Sequence, residues 1–154
     1  MVFLFFGLLS VMGTFFLFAK QIDSRLLFPA SAVGFLSAAV LNLNNMRDLD
    51  SDKKAQKKTL AVYMGRKKSK IYHFLLVLSA ISMMVVFQFV MSFSKLMLFS
   101  WIAFAPLLFH LKVIYNIKNP RRFDPHLKLV ALSTFVMSLL FASVLVIEEL
   151  QQLL

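Results

Sequence analysis

The stretch LLFPASAVGFLSAAVLNLNNM, residues 26–46, runs for 21 residues without a charged side chain. As a helix it rises about 30 Å, close to the hydrocarbon thickness of a bilayer, so it reads as a transmembrane span. Comparable runs flank it. Charge-free stretches cover 2–19, 71–94 and 129–147. A shorter one at 96–111 extends toward Ile117 if Lys112 snorkels to the interface. The reading is all-α: a multi-span transmembrane helical bundle with five spans, at about 2–19, 26–46, 71–94, 96–117 and 129–147. Barrel strands are excluded because they would alternate in character.

Composition agrees. The chain is 60% hydrophobic and 16% charged over 154 residues, against about 45–50% and about 25% in soluble domains. The net charge of +10 would suit nucleic acid if the cations shared one soluble face. Instead, nine of the 17 Lys and Arg lie between Arg47 and Lys70 and five between Lys112 and Lys128. That alternation of rich and poor connections is the positive-inside pattern. It excludes nucleic acid as the partner and names the lipid bilayer. It also puts the segments 47–70 and 112–128 in the cytoplasm and the C-terminus outside. No cysteine is present, so thiolate chemistry is excluded. Pro106 predicts a kink inside the fourth span. His73 and His110 read as interfacial histidines, and His126 as a neighbour of Asp124 able to help close a site. Gln88 reads as an interhelical hydrogen-bonding group.

The chemistry gathers where the second span ends. Asn44, Asp48 and Asp52 recur at i, i+4 and i+8, so a helix continuing past the membrane edge carries them on one face. Two carboxylates one turn apart suit a hard cation, and Mg²⁺ is typically held by one or two carboxylates plus substrate phosphates. Lys53, Lys54, Lys57 and Lys58 suit diphosphate oxygens. The same residues are also compatible with a solvated, self-neutralising face. Asn42, Asn44 and Asn45 favour the site, because uncompensated amides at the end of an apolar helix are costly.

The run Asn44-Asn45-Met46-Arg47-Asp48, then Asp52, then Lys57-Lys58-Thr59-Leu60 and Gly65, resembles the second aspartate-rich motif of UbiA-type intramembrane aromatic prenyltransferases. The N-N-x-R-D form with K-x-T-L is similar to the branch acting on 1,4-dihydroxy-2-naphthoate in menaquinone synthesis. VFLFFGLLSVMGTFFL at 2–17 and FDPHLKLVALST at 123–134 extend the likeness. The resemblance implies a nine-helix fold of which this chain is the C-terminal half, beginning abruptly at an apolar helix. It implies transfer of a polyprenyl chain from its diphosphate to the ring carbon of 1,4-dihydroxy-2-naphthoate, with loss of the carboxyl group. By the same resemblance Asp48 and Asp52 bind Mg²⁺, and Lys57, Arg47, Asn44 and Asn45 contact or frame the diphosphate. The N-terminal half, with the first aspartate-rich motif, becomes a required partner, so this chain alone is expected to be inactive. A bacterial cell membrane is the implied location. A glycine usually precedes the lysine of K-x-T-L, where it permits a positive φ; here that position is Gln56. A non-catalytic membrane anchor with polybasic segments is the alternative reading.

Overall fold

The computed structural model describes residues 1–90 and 95–153. A π-helical turn, Phe3–Leu9, runs into α1 (Ser10–Ala19). Then follow α2 (Leu27–Arg47), the short α3 (Leu49–Lys54), α4 (Leu60–Val90), a 3₁₀ helix at Lys95–Phe104, α5 (Ala105–Asn116) and α6 (Asp124–Leu153). Four helical stretches are long and apolar enough to cross a membrane: Ser24–Arg47, Leu60–Val90, Lys95–Asn116 and Pro120–Ile147. The N-terminal stretch Phe3–Ala19 is a shorter apolar helix. The last four residues of the expected span 71–94 lie outside the described residues.

Local chemistry sets the helix starts. The Asp23 carboxylate accepts from the Arg25 N–H and caps the turn leading into α2, and Asn119 does the same for the turn before α6. Both satisfy amides that a first helical turn leaves orphaned. Pro106 falls where the 3₁₀ helix gives way to α5. There the lack of an N–H does no harm to the ladder.

α2 is the centre of the bundle, contacting α4, the N-terminal helix and α6. Its small residues allow this. Ala30, Ala32 and Ala39 are wholly buried, and helix pairs in membranes approach most closely over such residues. At the crossing with the first helix, a Cβ on Gly7 would lie 2.6 Å from Gly34 Cα. Leu36, Leu43, Met46, Val77, Leu107 and Phe123 fill the core around α2, while large apolar side chains such as Phe6, Phe89, Phe109 and Phe135 face outward. Gln88 meets the expectation for it, its Oε1 accepting from Trp101 Nε1 at 2.7 Å.

The polar segment 47–70 is more ordered than a connecting loop. Only Ala55–Thr59 separates α3 from α4. Thr59 starts α4, its hydroxyl accepting from the Val62 N–H at 3.3 Å, which gives the threonine of K-x-T-L a capping role. α4 is interrupted at Gly65 (φ 76°, ψ 164°), a conformation open to glycine and strained for other residues.

Candidate functional site

α2 ends at Arg47, but its ladder carries on: the Asp48 N–H donates to the Asn44 carbonyl (2.9 Å) and the Asp52 N–H to the Asp48 carbonyl (2.8 Å). Asn44, Asp48 and Asp52 therefore keep the one-turn spacing read from the sequence, across a bend at Asp48 (φ −89°, ψ 5°).

Arg47 organises the first of two clusters. Its Nε and Nη2 donate to the two carboxylate oxygens of Asp48 at 2.8 and 2.9 Å, a bidentate pair. Nη2 also reaches Asn44 Oδ1 (2.6 Å) and Nη1 reaches Asp124 Oδ1 (2.9 Å). The planar guanidinium fork suits this simultaneous recognition. Hydrogen bonds from Arg47 hold the Asp48 carboxyl below the usual carboxylate range; burial opposes them, and the charges of Arg47 and Lys57 assist.

The second cluster lies one turn on. Asp52 is buried at 5% exposure, and its Oδ1 pairs with Lys57 Nζ at 3.2 Å, as a buried carboxylate requires. The backbone enforces the pairing. α3 ends in a Schellman motif, with the Gln56 N–H donating to the Lys53 carbonyl and the Lys57 N–H to the Asp52 carbonyl. Gln56 occupies the left-handed position at φ 56°. The positive φ that a glycine would supply is thus present, adopted by glutamine. Asp50 turns away and pairs with Arg66 at 3.0 Å.

Two clefts flank these clusters. A cleft of about 630 Å³ is lined by Lys53, Gln56, Lys57, Lys58, Thr59 and Tyr63 among others. An apolar cleft of about 470 Å³ lies among Phe6, Val40, Leu41, Leu127 and Ala131, with Asn44 on its wall. The face bearing Asn44, Asp48, Asp52 and the following Lys57 thus runs from an apolar cleft to a cationic one.

Of the residues singled out from sequence, Asn44, Arg47 and Asp48 come together, and Asp52 joins Lys57. Asn45 is half-buried and, among the described residues, stands outside both clusters. Asn42 is structural: its amide donates to the Ser69 carbonyl at 2.9 Å and ties α2 to α4. Asp124 was missed as a member of the site; its signal was an aspartate opening a helix within FDPHLK. His73 and His110 are buried between helices, at 0% and 1% exposure, and bond to each other.

Among the described residues no three or more His, Cys, Asp or Glu converge on one point. The carboxylates of Asp48 and Asp52, one turn apart, are held by Arg47 and Lys57 respectively.

Residues 1–140 match the UbiA prenyltransferase family. The chain belongs to that family. The curated relatives agree. It is 36% identical over 141 residues to the 1,4-dihydroxy-2-naphthoate octaprenyltransferase of Haemophilus influenzae, an alignment covering 92% of this chain and 46% of that protein. It is 35% identical over 143 residues to the Escherichia coli protein of the same name, covering 91% and 46%. The Mycobacterium tuberculosis counterpart is 42% identical over 72 residues, 47% of this chain and 25% of that protein. The chain spans about half the length of the first two relatives. No solved structure matches it. Family membership gives the run from Asn44 to Gly65 its context as a polar motif at the ends of membrane-spanning helices.

Proposed function

We propose that the chain supplies part of the active site of a polyprenyltransferase that joins the prenyl group of a polyprenyl diphosphate to 1,4-dihydroxy-2-naphthoate in menaquinone synthesis. It works in a bacterial cell membrane with the motif segment on the cytoplasmic side. Two relatives aligned over about nine-tenths of this chain are named 1,4-dihydroxy-2-naphthoate octaprenyltransferase. The observation that carries the reading is one helix face linking a lysine-lined cleft, through two paired aspartates, to an apolar cleft.

The residues divide the work. Lys57, with Lys53 and Lys58 in the same cleft, binds the diphosphate oxygens. Asp48 and Asp52 would hold Mg²⁺, which when bound would neutralise charge developing on the departing diphosphate. Arg47 and Asn44 keep Asp48 in place, and Asn45 stays a framing residue of the motif. The apolar cleft takes the prenyl chain and keeps water from the allylic cation. One aspartate motif gives too few anionic ligands for the complete assembly, so a second segment with the first motif completes the site and this chain alone is inactive.

The test is prenyl transfer in membranes carrying this chain, given labelled 1,4-dihydroxy-2-naphthoate, a polyprenyl diphosphate and Mg²⁺. It is run with and without a co-expressed N-terminal half of a full-length relative. Activity requiring both halves and lost in Asp48→Ala and Asp52→Ala is expected. Robust transfer by the isolated chain would sink the dependence on a second segment. No transfer in any pairing, with the chain inserted and folded, would leave a membrane anchor.

A further inference from the structure

Three histidines from three helices meet inside the bundle. His73 of α4 and His110 of α5 approach Nε2 to Nε2 at 2.8 Å, and His110 and His126 of α6 approach Nδ1 to Nδ1 at 2.8 Å. His73 and His110 are fully buried, and His126 is half-buried. This is no metal cage. Both nitrogens of His110 are taken by different rings, and no metal-binding group of three ligands occurs among the described residues.

A neutral imidazole has one N–H and one lone pair. His110 must therefore donate to one neighbour and accept from the other, so the chain has a direction. The buried end decides it. Nδ1 of His73 is sealed from water and outside ordinary hydrogen-bond geometry, with the Ala39 backbone of α2 beside the ring. A carbonyl only accepts, so the hydrogen of His73 belongs on Nδ1. The opposite sense would aim a bare lone pair at that carbonyl. It follows that His110 donates from Nε2 to His73 Nε2 and accepts at Nδ1 from the Nδ1–H of His126.

The outer end of this chain is in the first turn of α6, two residues from Asp124, whose carboxylate accepts from Arg47 at 2.9 Å. We propose that His126, His110 and His73 form a neutral hydrogen-bonded chain of fixed direction that seats the first turn of α6 and so positions Asp124 against Arg47. His110 and His126 are then positioning residues for the Arg47–Asp48 cluster, a role whose link to metal binding rests on the function proposed above.

The test uses the full chain in lipid nanodiscs, labelled with ¹⁵N at histidine and arginine. Expected are Nδ1–H tautomers at His73 and His126, an Nε2–H tautomer at His110, and couplings across both N–H···N bonds. Histidine in water favours Nε2–H, so an Nε2–H ring at His73 or His126, or a tautomer mixture at His110, overturns the chain without any variant having to fold. His126→Leu removes the donor, whereas His126→Asn returns an amide N–H near the place of Nδ1–H. The Leu variant is expected to shift the Arg47 side-chain signals toward those of a free guanidinium, and the Asn variant to restore them. Unchanged Arg47 signals in the Leu variant overturn the positioning role. If the wild-type chain binds no Mn²⁺, the metal reading falls, while the Arg47 signals still decide the positioning.

Discussion

Asp52 and Lys57 are joined twice: the main-chain carbonyl of Asp52 accepts from the Lys57 N–H at 2.9 Å, and its carboxylate pairs with Lys57 Nζ at 3.2 Å. The residue that makes both possible is Gln56, held at φ 56°. A left-handed conformation costs a non-glycine residue roughly 1–2 kcal/mol, partly offset by the flexibility a glycine would lose on folding. Gln56→Gly should therefore stabilise the folded chain by about 0.5–1 kcal/mol, and Gln56→Val should destabilise it. Denaturant unfolding of the purified chain in mild detergent checks the order; a Gly variant no more stable than the Val variant would refute the assignment of strain.

Lys57 and a divalent ion compete for the same carboxylate. Lys57→Ala should strengthen binding of Mn²⁺ alone, because the rival cation is gone, while weakening binding of a prenyl diphosphate. Titrating each ligand separately into the chain in nanodiscs distinguishes the two effects. Parallel weakening of both would show that Lys57 supports the aspartate rather than contesting it.

Acid should reveal the Arg47–Asp48 pair. Asp48 is held below its usual value of 3.8, chiefly by hydrogen bonds from Arg47. A depressed carboxylate contributes stability that is complete above its unfolded value and disappears as pH falls through the folded one. The stability gap between wild type and Asp48→Asn should thus be constant above about pH 5 and close progressively below about pH 4. A gap that widened in acid would contradict the sign.

The crossing of the first helix with α2 tolerates no side chain at its closest point. A Cβ on Gly7 would meet Gly34 Cα at 2.6 Å, and one on Gly34 would meet Phe3 at 2.8 Å, whereas Gly13 has nothing within 4 Å. Gly7→Ala and Gly34→Ala should each cost about 1–3 kcal/mol, and Gly13→Ala should gain about 0.5–1 kcal/mol. Thermal unfolding in one detergent ranks the three, and equal effects would mean that the helices do not cross there.

Periodicity made much of this legible. The spacing of Asn44, Asp48 and Asp52 survives because i→i−4 hydrogen bonding continues through the bend at Asp48, and the length of apolar runs marked the long helices. What hydrophobicity could not mark was where helices continue into polar sequence. α4 begins at Leu60, well before the apolar run at 71, because a threonine cap rather than apolar burial starts it. Nor could one chain of letters bring Asp124 to Arg47, since that meeting depends on how α6 packs against α2. The same holds for His73, His110 and His126. In the sequence each stands as a lone histidine, and only the packing of three helices turns them into one another's partners.

Gln56 at φ 56° and Gly65 at φ 76° bracket residues 57–64 with two positive-φ turns. That short excursion carries the lysines, the threonine and the tyrosine on one side of the cationic cleft. Its entry and exit are fixed by main-chain geometry rather than by its side chains. Its path is therefore sensitive to length more than to composition. Single substitutions at its exposed positions leave the path intact, whereas deleting or inserting one residue between the two turns redirects the lysine side chains and misplaces the start of α4.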